Sequence, residues 1–190
     1  MHRVVEDTIA GGVPAERVFL AGLSQGCCAA VLAALTGKWR LGGLIGVSGY
    51  VVWAREMGEE LKGEMEPVEV VRGLARRLGV GVQEVEVVRE VLRMRVWLGH
   101  ADDDDVVGYG VGQEMCAVLE GLRMEVSWNG YTDVGHWYKV PDEIDDMAAF
   151  LKECGVDVKG DEEEEEEEEE ESSSDDEYAR STSDGGFFER

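Results

Sequence analysis

Ser24 lies in a sequence context that suits a catalytic nucleophile. The pentapeptide Gly22–Gly26 has the pattern Gly-x-Ser-x-Gly, follows the apolar run Val18–Ala21 and precedes the small residues of Cys27–Leu35. A strand that turns sharply into a helix exposes the serine hydroxyl beside the first N–H groups of that helix. We therefore predict that Ser24 attacks a carbonyl carbon and that the backbone N–H of Gln25 binds the oxyanion.

Two later segments carry the acid and the base that such a serine needs. Four consecutive aspartates, Asp102–Asp105, follow a predicted strand at 95–98, and His136 follows a predicted strand at 123–128. Because catalytic groups of parallel sheets lie in loops at the carboxyl ends of strands, we expect the serine, one aspartate and the histidine to converge. The residues alone leave three candidates for the acid: Asp103, Asp104 and Asp105.

The elements that must position these groups alternate between strand and helix. Apolar runs predict buried strands at 18–21, 41–47, 95–98 and 123–128. Apolar stripes at helical spacing and terminal signals such as Gly37 and Pro141 predict helices at 3–12, 26–36, 108–122 and 141–152. This alternation predicts an α/β fold, in which about four mostly parallel strands are covered by helices on both faces.

Residues 54–92 predict a helical insert between the second and third strands. Met57, Leu61 and Met65 recur every four residues, and helical patterns follow from Pro67 to 78 and from 85 to 92. Such an insert is either a lid over a substrate channel or a set of helices packed on the core. Apolar helical stripes usually face a core, which favours packing.

The negative charge is concentrated near the C-terminal end of the sequence. Residues 161–190 contain 16 acidic and 2 basic residues and so carry −14 of the net charge of −24, and residues 162–171 are ten glutamates. Like charges repel, so we predict a domain at 1–156 and a disordered acidic tail at 157–190. The tail solvates the chain or binds basic proteins, whereas nucleic acid, with its negative phosphates, is not expected as a partner.

Cysteine usage and the apolar runs bear on the compartment. The four cysteines form no Cys-x-x-Cys pair, which fits a reducing compartment such as the cytoplasm, with the nucleus as an alternative. Residues 1–7 lack the apolar core of a signal peptide. No apolar run approaches the roughly 18 residues of a membrane span, so no transmembrane segment is predicted. A contiguous run of aspartates lacks the ligand spacing of a calcium loop, so we predict no metal.

Five segments together carry a resemblance to a known family; they are Gly12–Val18, Gly22–Gly26, Gly43–Tyr50, Gly99–Val107 and Gly135–His136. From about Val4 to Glu153, interrupted by the insert, the chain resembles the acyl-protein thioesterase, lysophospholipase and carboxylesterase family of α/β-hydrolases. The order Ser, Asp, His is also that of the triad in this fold. The resemblance implies a hydrolase of acyl thioesters or esters that needs no cofactor. Depalmitoylation of protein cysteines is the implied reaction, with lysophospholipids and small carboxylic esters as close alternatives.

The resemblance also assigns roles to individual residues. Ser24 matches the nucleophile, His136 the general base, Asp104 the acid of the triad, and Gln25 an oxyanion donor through its backbone N–H. In such a triad the histidine takes the serine proton, an acyl-enzyme forms, and water releases the acid. His100, four residues before Asp104, is expected to be structural, because the triad already has its base.

The resemblance is incomplete upstream of Ser24. In the α/β-hydrolase fold a second oxyanion donor comes from a loop after an earlier strand. Only 16 residues precede Arg17, fewer than the roughly 30 of a strand–helix–strand unit, and the family's His-Gly-rich loop is not found in the sequence. We therefore expect the C-terminal portion of the fold, N-terminally truncated, with one flank of the sheet open. The alternative function is that of a catalytically weak relative that binds basic proteins through its acidic tail.

Overall fold

Four parallel strands, arranged in chain order, form a single sheet. The computed structural model describes residues 1–158. The strands are β1 (Phe19–Leu23), β2 (Gly43–Val47), β3 (Arg95–Ala101) and β4 (Glu125–Tyr131). In the register of the sheet, Leu44 of β2 lies beside Leu20 of β1 and Val96 of β3. The predicted α/β fold with a parallel sheet is thus confirmed, and all four carboxyl ends lie at one edge of the sheet.

Seven α-helices are found in the described residues, at the places where the sequence predicts helices. They are α1 (His2–Ala10), α2 (Gln25–Thr36), α3 (Ala54–Lys62), α4 (Pro67–Leu78), α5 (Val85–Val91), α6 (Tyr109–Gly121) and α7 (Asp142–Glu153), with a short 3₁₀ turn at Ala15–Arg17. The last two strands are longer at their carboxyl ends than predicted. His100 pairs with Gly130 and Ala101 with Tyr131, so the sheet continues beyond the glycine at which the sequence pattern suggests that β3 ends.

Alternate residues of each strand face opposite layers. Leu44, Val96 and Leu98 point into the larger core, to which helices α1–α6 contribute. Ile45, Val47 and Trp97 point to the other face, where they pack with residues of α7. Both faces of the sheet are therefore covered, which explains why β2 and the middle of β3 read as continuous apolar runs rather than as alternating strands.

The insert at 54–92 packs on the larger core. Four residues of α4 and α5, each at most 1% exposed, lie in this core, namely Val70, Val71, Leu74 and Val88. Met57 of α3 is fully buried, but Met65 lies beyond the end of α3 and is 43% exposed. The predicted apolar face thus ends with the helix, and these contacts are those of packed helices rather than of a lid.

The two edges of the sheet are formed by β1 and β4. Within residues 1–158, β1 pairs only with β2, and Ala21 in the middle of β1 is exposed. Met1–Val156 form one compact unit. The predicted acidic tail lies almost wholly outside the described residues. Among the residues that are described, no helix combines the length and the apolar character needed to cross a bilayer.

The two glycines of the elbow provide a matched test of the turn. A Cβ at Gly22 would lie 2.5 Å from Cys27 N and closer still to the carbonyl group of Gly26, whereas a Cβ at Gly26 would meet nothing within 4 Å. Both glycines belong to the Gly-x-Ser-x-Gly pattern, but only Gly22 is required sterically. We predict that Gly22→Ala lowers the free energy of unfolding by about 3 kcal/mol, because backbone atoms must move.

Gly26→Ala is the control for this substitution. It should change the free energy of unfolding by less than about 0.5 kcal/mol, or raise it slightly, because alanine favours helix and the site is open. Urea denaturation of both variants measures the difference. Equal costs for the two substitutions would contradict the steric account of the turn.

Candidate active site

Ser24 occupies a strained position between β1 and α2. Its backbone angles are φ 56° and ψ −121°, a conformation that L-residues rarely adopt and that costs roughly 1–3 kcal/mol. The Ser24 N–H donates a hydrogen bond of 2.9 Å to the carbonyl oxygen of Val47, which ties the turn to the end of β2. Ser24 is partly exposed, so the turn has the form of the predicted nucleophile elbow.

Gln25 is the first residue of α2 and lies directly beside Ser24. The N–H groups in the first turn of a helix have no partner inside the helix, and the helix dipole places partial positive charge there. Gln25 is exposed to solvent. Its backbone N–H can therefore bind an anionic oxygen placed beside Ser24.

Asp104 is the aspartate that contacts His136. The Nδ1 atom of His136 lies 2.9 Å from Oδ2 and 3.1 Å from Oδ1 of Asp104. The carboxylate can only accept, so we assign the proton of the ring to Nδ1, and Nε2 is left as the free basic nitrogen. The Asp104 side chain is fully buried and that of His136 is 20% exposed, so the base reaches solvent while the acid does not.

The Asp104 carboxylate is also held by its own loop. Its Oδ1 atom accepts hydrogen bonds of 2.9 Å from the backbone N–H groups of Val106 and Val107. Burial would raise the pKa of Asp104, but the hydrogen bonds from His136, Val107 and Val106 outweigh burial and lower this pKa below its ordinary value. Asp104 is therefore ionised at neutral pH.

The loop that carries His136 spans the carboxyl edge of the sheet. It starts from β4, three strand spacings or roughly 14 Å away from β1, which leads to Ser24. The hydroxyl of Ser48, at the end of β2, donates to the carbonyl oxygen of Trp137 at 3.4 Å. Ser24 and the His136 loop thus both contact residues 47–48. In the part of the chain that the structure describes, Ser24 Oγ and His136 are not joined by a hydrogen bond.

His100 is part of β3 and lies beneath the Asp104 loop. Its ring is 1% exposed, and Nε2 donates to the carbonyl oxygen of Val107 at 2.7 Å and lies 3.3 Å from Asp104 Oδ2. The rings of Tyr109 and Trp128 pack against it. His100 therefore supports the loop, as the structural role expected of it requires.

Three further residues lie near the loops; the sequence offers Asp103 only as a candidate for the acid, and it predicts no role for Ser48 or Glu143. Asp103 accepts from backbone N–H groups of the His136 loop, and Ser48 adopts φ 45°. Glu143 is 1% exposed and its Oε2 accepts from Lys139 N at 2.8 Å, at the end of the same loop. Burial raises the pKa of Glu143, the bond from Lys139 partly offsets this, and Asp146 adds to the rise. The sequence predicts that Glu143 lies in the first turn of a helix, but it carries no signal for the contacts that these three residues make.

Two observations within residues 1–158 concern possible metal ligands and the buried thiol of Cys27. In this part of the chain, no three His, Cys, Asp or Glu side chains lie together in a way that could hold a metal ion. Burial raises the pKa of Cys27 to about 12, and the neighbouring Cys28 adds to the rise, so the Cys27 thiol stays protonated. Its sulfur instead packs over Gly46, where an added Cβ would lie 2.6 Å away.

Curated relatives are similar in sequence to this chain over most of its length. The model of a family described as Phospholipase/Carboxylesterase matches residues 1–71. Acyl-protein thioesterase 1 of Gibberella zeae is 28% identical over 152 residues, which are 80% of this chain and 54% of the relative. Acyl-protein thioesterase 1 of Saccharomyces cerevisiae is 24% identical over 160 residues, which cover 80% of this chain and 56% of the relative. The chain thus spans about half the length of the curated relatives it matches.

Solved structures show the same fold at low sequence identity. The crystal structure of Arabidopsis thaliana SOBER1 superimposes with a TM-score of 0.62 at 21% identity and covers 82% of this chain and 61% of the other. The crystal structure of Zea mays acyl-protein thioesterase 2 gives a TM-score of 0.57 at 21% identity, and the match covers 80% of this chain and 62% of the other. Together with the family match and the curated relatives, these similarities confirm the resemblance found in the sequence. The chain is thus similar to acyl-protein thioesterases in sequence and to α/β-hydrolases in fold, and the Phospholipase/Carboxylesterase model matches its first 71 residues.

Proposed function

We propose that this chain carries the catalytic triad of a serine hydrolase that cleaves acyl thioesters or esters. The observation that carries the proposal is the bond between His136 Nδ1 and the buried Asp104 carboxylate, at the same edge of the sheet as the strained Ser24 turn. A buried acid that orients a partly exposed imidazole is the arrangement that activates a serine. Sequence similarity to relatives named acyl-protein thioesterase supports the same reaction.

The proposed reaction proceeds through an acyl-enzyme. Nε2 of His136 removes the proton from Ser24 Oγ as Oγ bonds to the acyl carbon, and the carbonyl oxygen becomes an oxyanion. Collapse of this intermediate breaks the bond to the leaving thiolate or alkoxide, which takes the proton from His136. Water, deprotonated by His136, then attacks the acyl-enzyme. The acid is released and Ser24 regains its proton.

The proposal assigns one oxyanion donor, the backbone N–H of Gln25. Two donors are usual in α/β-hydrolases, and the second comes from a loop after an earlier strand. Residues 1–158, as described, contain no loop to which we assign this second role. Loss of one donor typically lowers the rate of acyl transfer about 10²- to 10³-fold. With Gln25 as its single donor, the site would therefore be slower by about this factor than a site with two donors.

The proposed substrate is an acylated cysteine of a protein. The names of the relatives from Gibberella zeae and Saccharomyces cerevisiae support an acyl-protein thioester. Lysophospholipids and small carboxylic esters are close alternatives, since the family model is described as Phospholipase/Carboxylesterase. We propose that the reaction takes place in the cytoplasm, which fits four cysteines that are all free in the structure.

Labelling by a fluorophosphonate tests the nucleophile directly. The probe phosphonylates an activated serine and releases fluoride. The wild-type chain should therefore be labelled, and Ser24→Ala should lose the label completely. Gel fluorescence and the mass of the modified peptide measure the result. Ser127→Ala is the control and should keep the label, because Ser127 is an exposed serine of β4 that lies outside these loops. A wild-type chain that is not labelled, or a label that survives Ser24→Ala, would contradict the proposal.

Asp104→Asn should reduce both labelling and stability. We expect the labelling rate to fall about 10³- to 10⁴-fold, because the ring of His136 loses its orienting carboxylate. The free energy of unfolding should fall by about 2 kcal/mol at neutral pH, because charged hydrogen bonds are lost. Asp105→Asn removes the same charge from an exposed side chain and should change neither property noticeably.

The loss of stability in Asp104→Asn should depend on pH in one direction. The pKa of Asp104 is lowered by folding, so ionisation stabilises the fold above the unfolded-state pKa of about 3.9. This stabilisation is lost as the pH falls through the still lower folded-state value. The difference between wild type and Asp104→Asn, measured by urea denaturation, should therefore be constant above about pH 5 and shrink towards about pH 2. A difference that grows on acidification would show that the pKa of Asp104 is raised instead.

The acidic tail is the basis of a second proposed function, the binding of basic proteins. It is supported by the charge of −14 over residues 161–190. Deletion of these residues should weaken capture of a histone or of polylysine at low salt, because the electrostatic attraction is removed, and high salt should abolish the difference. Unchanged capture after the deletion would leave the tail with a solvating role only.

A further inference from the structure

We infer that Asp103 is a positioning residue that holds the loop bearing His136 against the loop bearing Asp104. This inference rests on the proposed function, since it concerns the base of the same site. Asp103 directly precedes the residue that orients the His136 ring. It binds the backbone of the two residues before His136 instead, so the two neighbouring carboxylates act on the ring and on the loop of the same histidine.

The contacts of Asp103 are with the residues just before His136. Its Oδ1 atom accepts a hydrogen bond of 3.1 Å from Gly135 N and one of 3.3 Å from Val134 N. These residues are 31 and 32 positions further along the chain, on the loop after a different strand. Because Gly135 is covalently joined to His136, a carboxylate that fixes the Gly135 N–H restricts where the imidazole can lie.

The backbone of this loop requires an acceptor at this point. Asp133 has φ 60° and Gly135 has φ 62°, both in the left-handed region. Left-handed residues in a turn point successive N–H groups towards one side and so form a small concave site for an anionic oxygen. Oδ1 of Asp103 occupies that site. Asp133 is strained in this conformation, and the two hydrogen bonds offset part of the strain.

The other aspartates of the run have different partners. The backbone N–H of Asp102 donates to the carbonyl oxygen of Tyr131 at 2.8 Å, at the end of β4. Asp104 binds the imidazole ring. The side chain of Asp105 is exposed and has no hydrogen-bond partner within residues 1–158. Asp105 therefore provides a control that changes the same charge in the same loop without touching the His136 loop.

Asp103 could influence His136 through its charge as well as through its hydrogen bonds, and two substitutions separate these effects. Asp103→Asn removes the charge but keeps an oxygen with two lone pairs that can accept both N–H groups. Asp103→Ala removes both the charge and the acceptor. If Asp103 acts as a hydrogen-bond acceptor, Asn should rescue the loss seen with Ala; if it acts by charge alone, Asn and Ala should behave alike.

The experiment compares the full chain with Asp103→Ala, Asp103→Asn and Asp105→Ala. NMR magnetisation transfer measures solvent exchange of the Val134 and Gly135 amides, and the downfield Nδ1 proton reports the bond between His136 and Asp104. The chain has three histidines, so His136→Gln identifies that proton. We expect Asp103→Ala to speed exchange of both amides about three- to tenfold and to broaden the Nδ1 proton, because charged hydrogen bonds at an exposed site are of moderate strength. In Asp103→Asn the exchange rates of both amides should stay within about twofold of the wild-type rates, and in Asp105→Ala they should equal the wild-type rates.

The rate of fluorophosphonate labelling completes the test. Asp103→Ala should lower it about tenfold, with Asn restoring most of the rate. Unchanged exchange and an unchanged Nδ1 proton in Asp103→Ala would overturn the inference, as would equal effects of Asn and Ala. If the wild-type chain is not labelled at all, the proposed hydrolase is wrong, but amide exchange and the Nδ1 proton still decide whether Asp103 holds the loop. If Asp103→Ala does not fold, a folded Asp103→Asn with wild-type exchange, beside a folded Asp105→Ala, supports the acceptor role.

Discussion

The arrangement of the site depends on one buried charge, the carboxylate of Asp104. A buried carboxylate is costly unless its oxygens are hydrogen-bonded, and here the N–H groups of Val106 and Val107 and the ring of His136 supply the partners. The loop after β3 therefore folds around the carboxylate, and the loop after β4 is drawn towards it. His100 fills the space beneath and holds the carbonyl group of Val107, so that the loop is fixed from both sides.

The parallel sheet makes this convergence possible, and three of the six non-glycine residues with positive φ in the described chain lie where the loops meet. Positive φ values occur at Ser24, Ser48 and Asp133, each just beyond the carboxyl end of a different strand. Strained residues of this kind persist only where surrounding contacts hold them. Here those contacts run between the loops, from Ser24 to Val47, from Ser48 to Trp137 and from Asp103 to Gly135.

Close packing without Cβ atoms supports the loops from below. An added Cβ at Gly112 would lie 2.8 Å from Cε1 of His100 and closer still to its Nδ1 atom, and one at Gly99 would lie 2.6 Å from the Trp97 ring and closer still to the Glu143 carboxyl group. These glycines let the buried polar side chains beneath the loops lie directly against α6 and β3. The position of the proposed triad is thus set by packing in the core as well as by bonds at the surface.

The sequence by itself determined the elements, the α/β class, the sharp turn at Ser24 and the loops that carry an aspartate and a histidine. These features depend on local periodicity and on residues within a few positions of each other. Only the tertiary structure decided that β3 continues through His100, that Glu143 is buried, and which of the consecutive aspartates binds which partner. Adjacent identical residues have almost the same local signal. Asp103 and Asp104 differ because their oxygens meet groups 31 or 32 positions away, and that proximity exists only after the sheet has brought the two loops together.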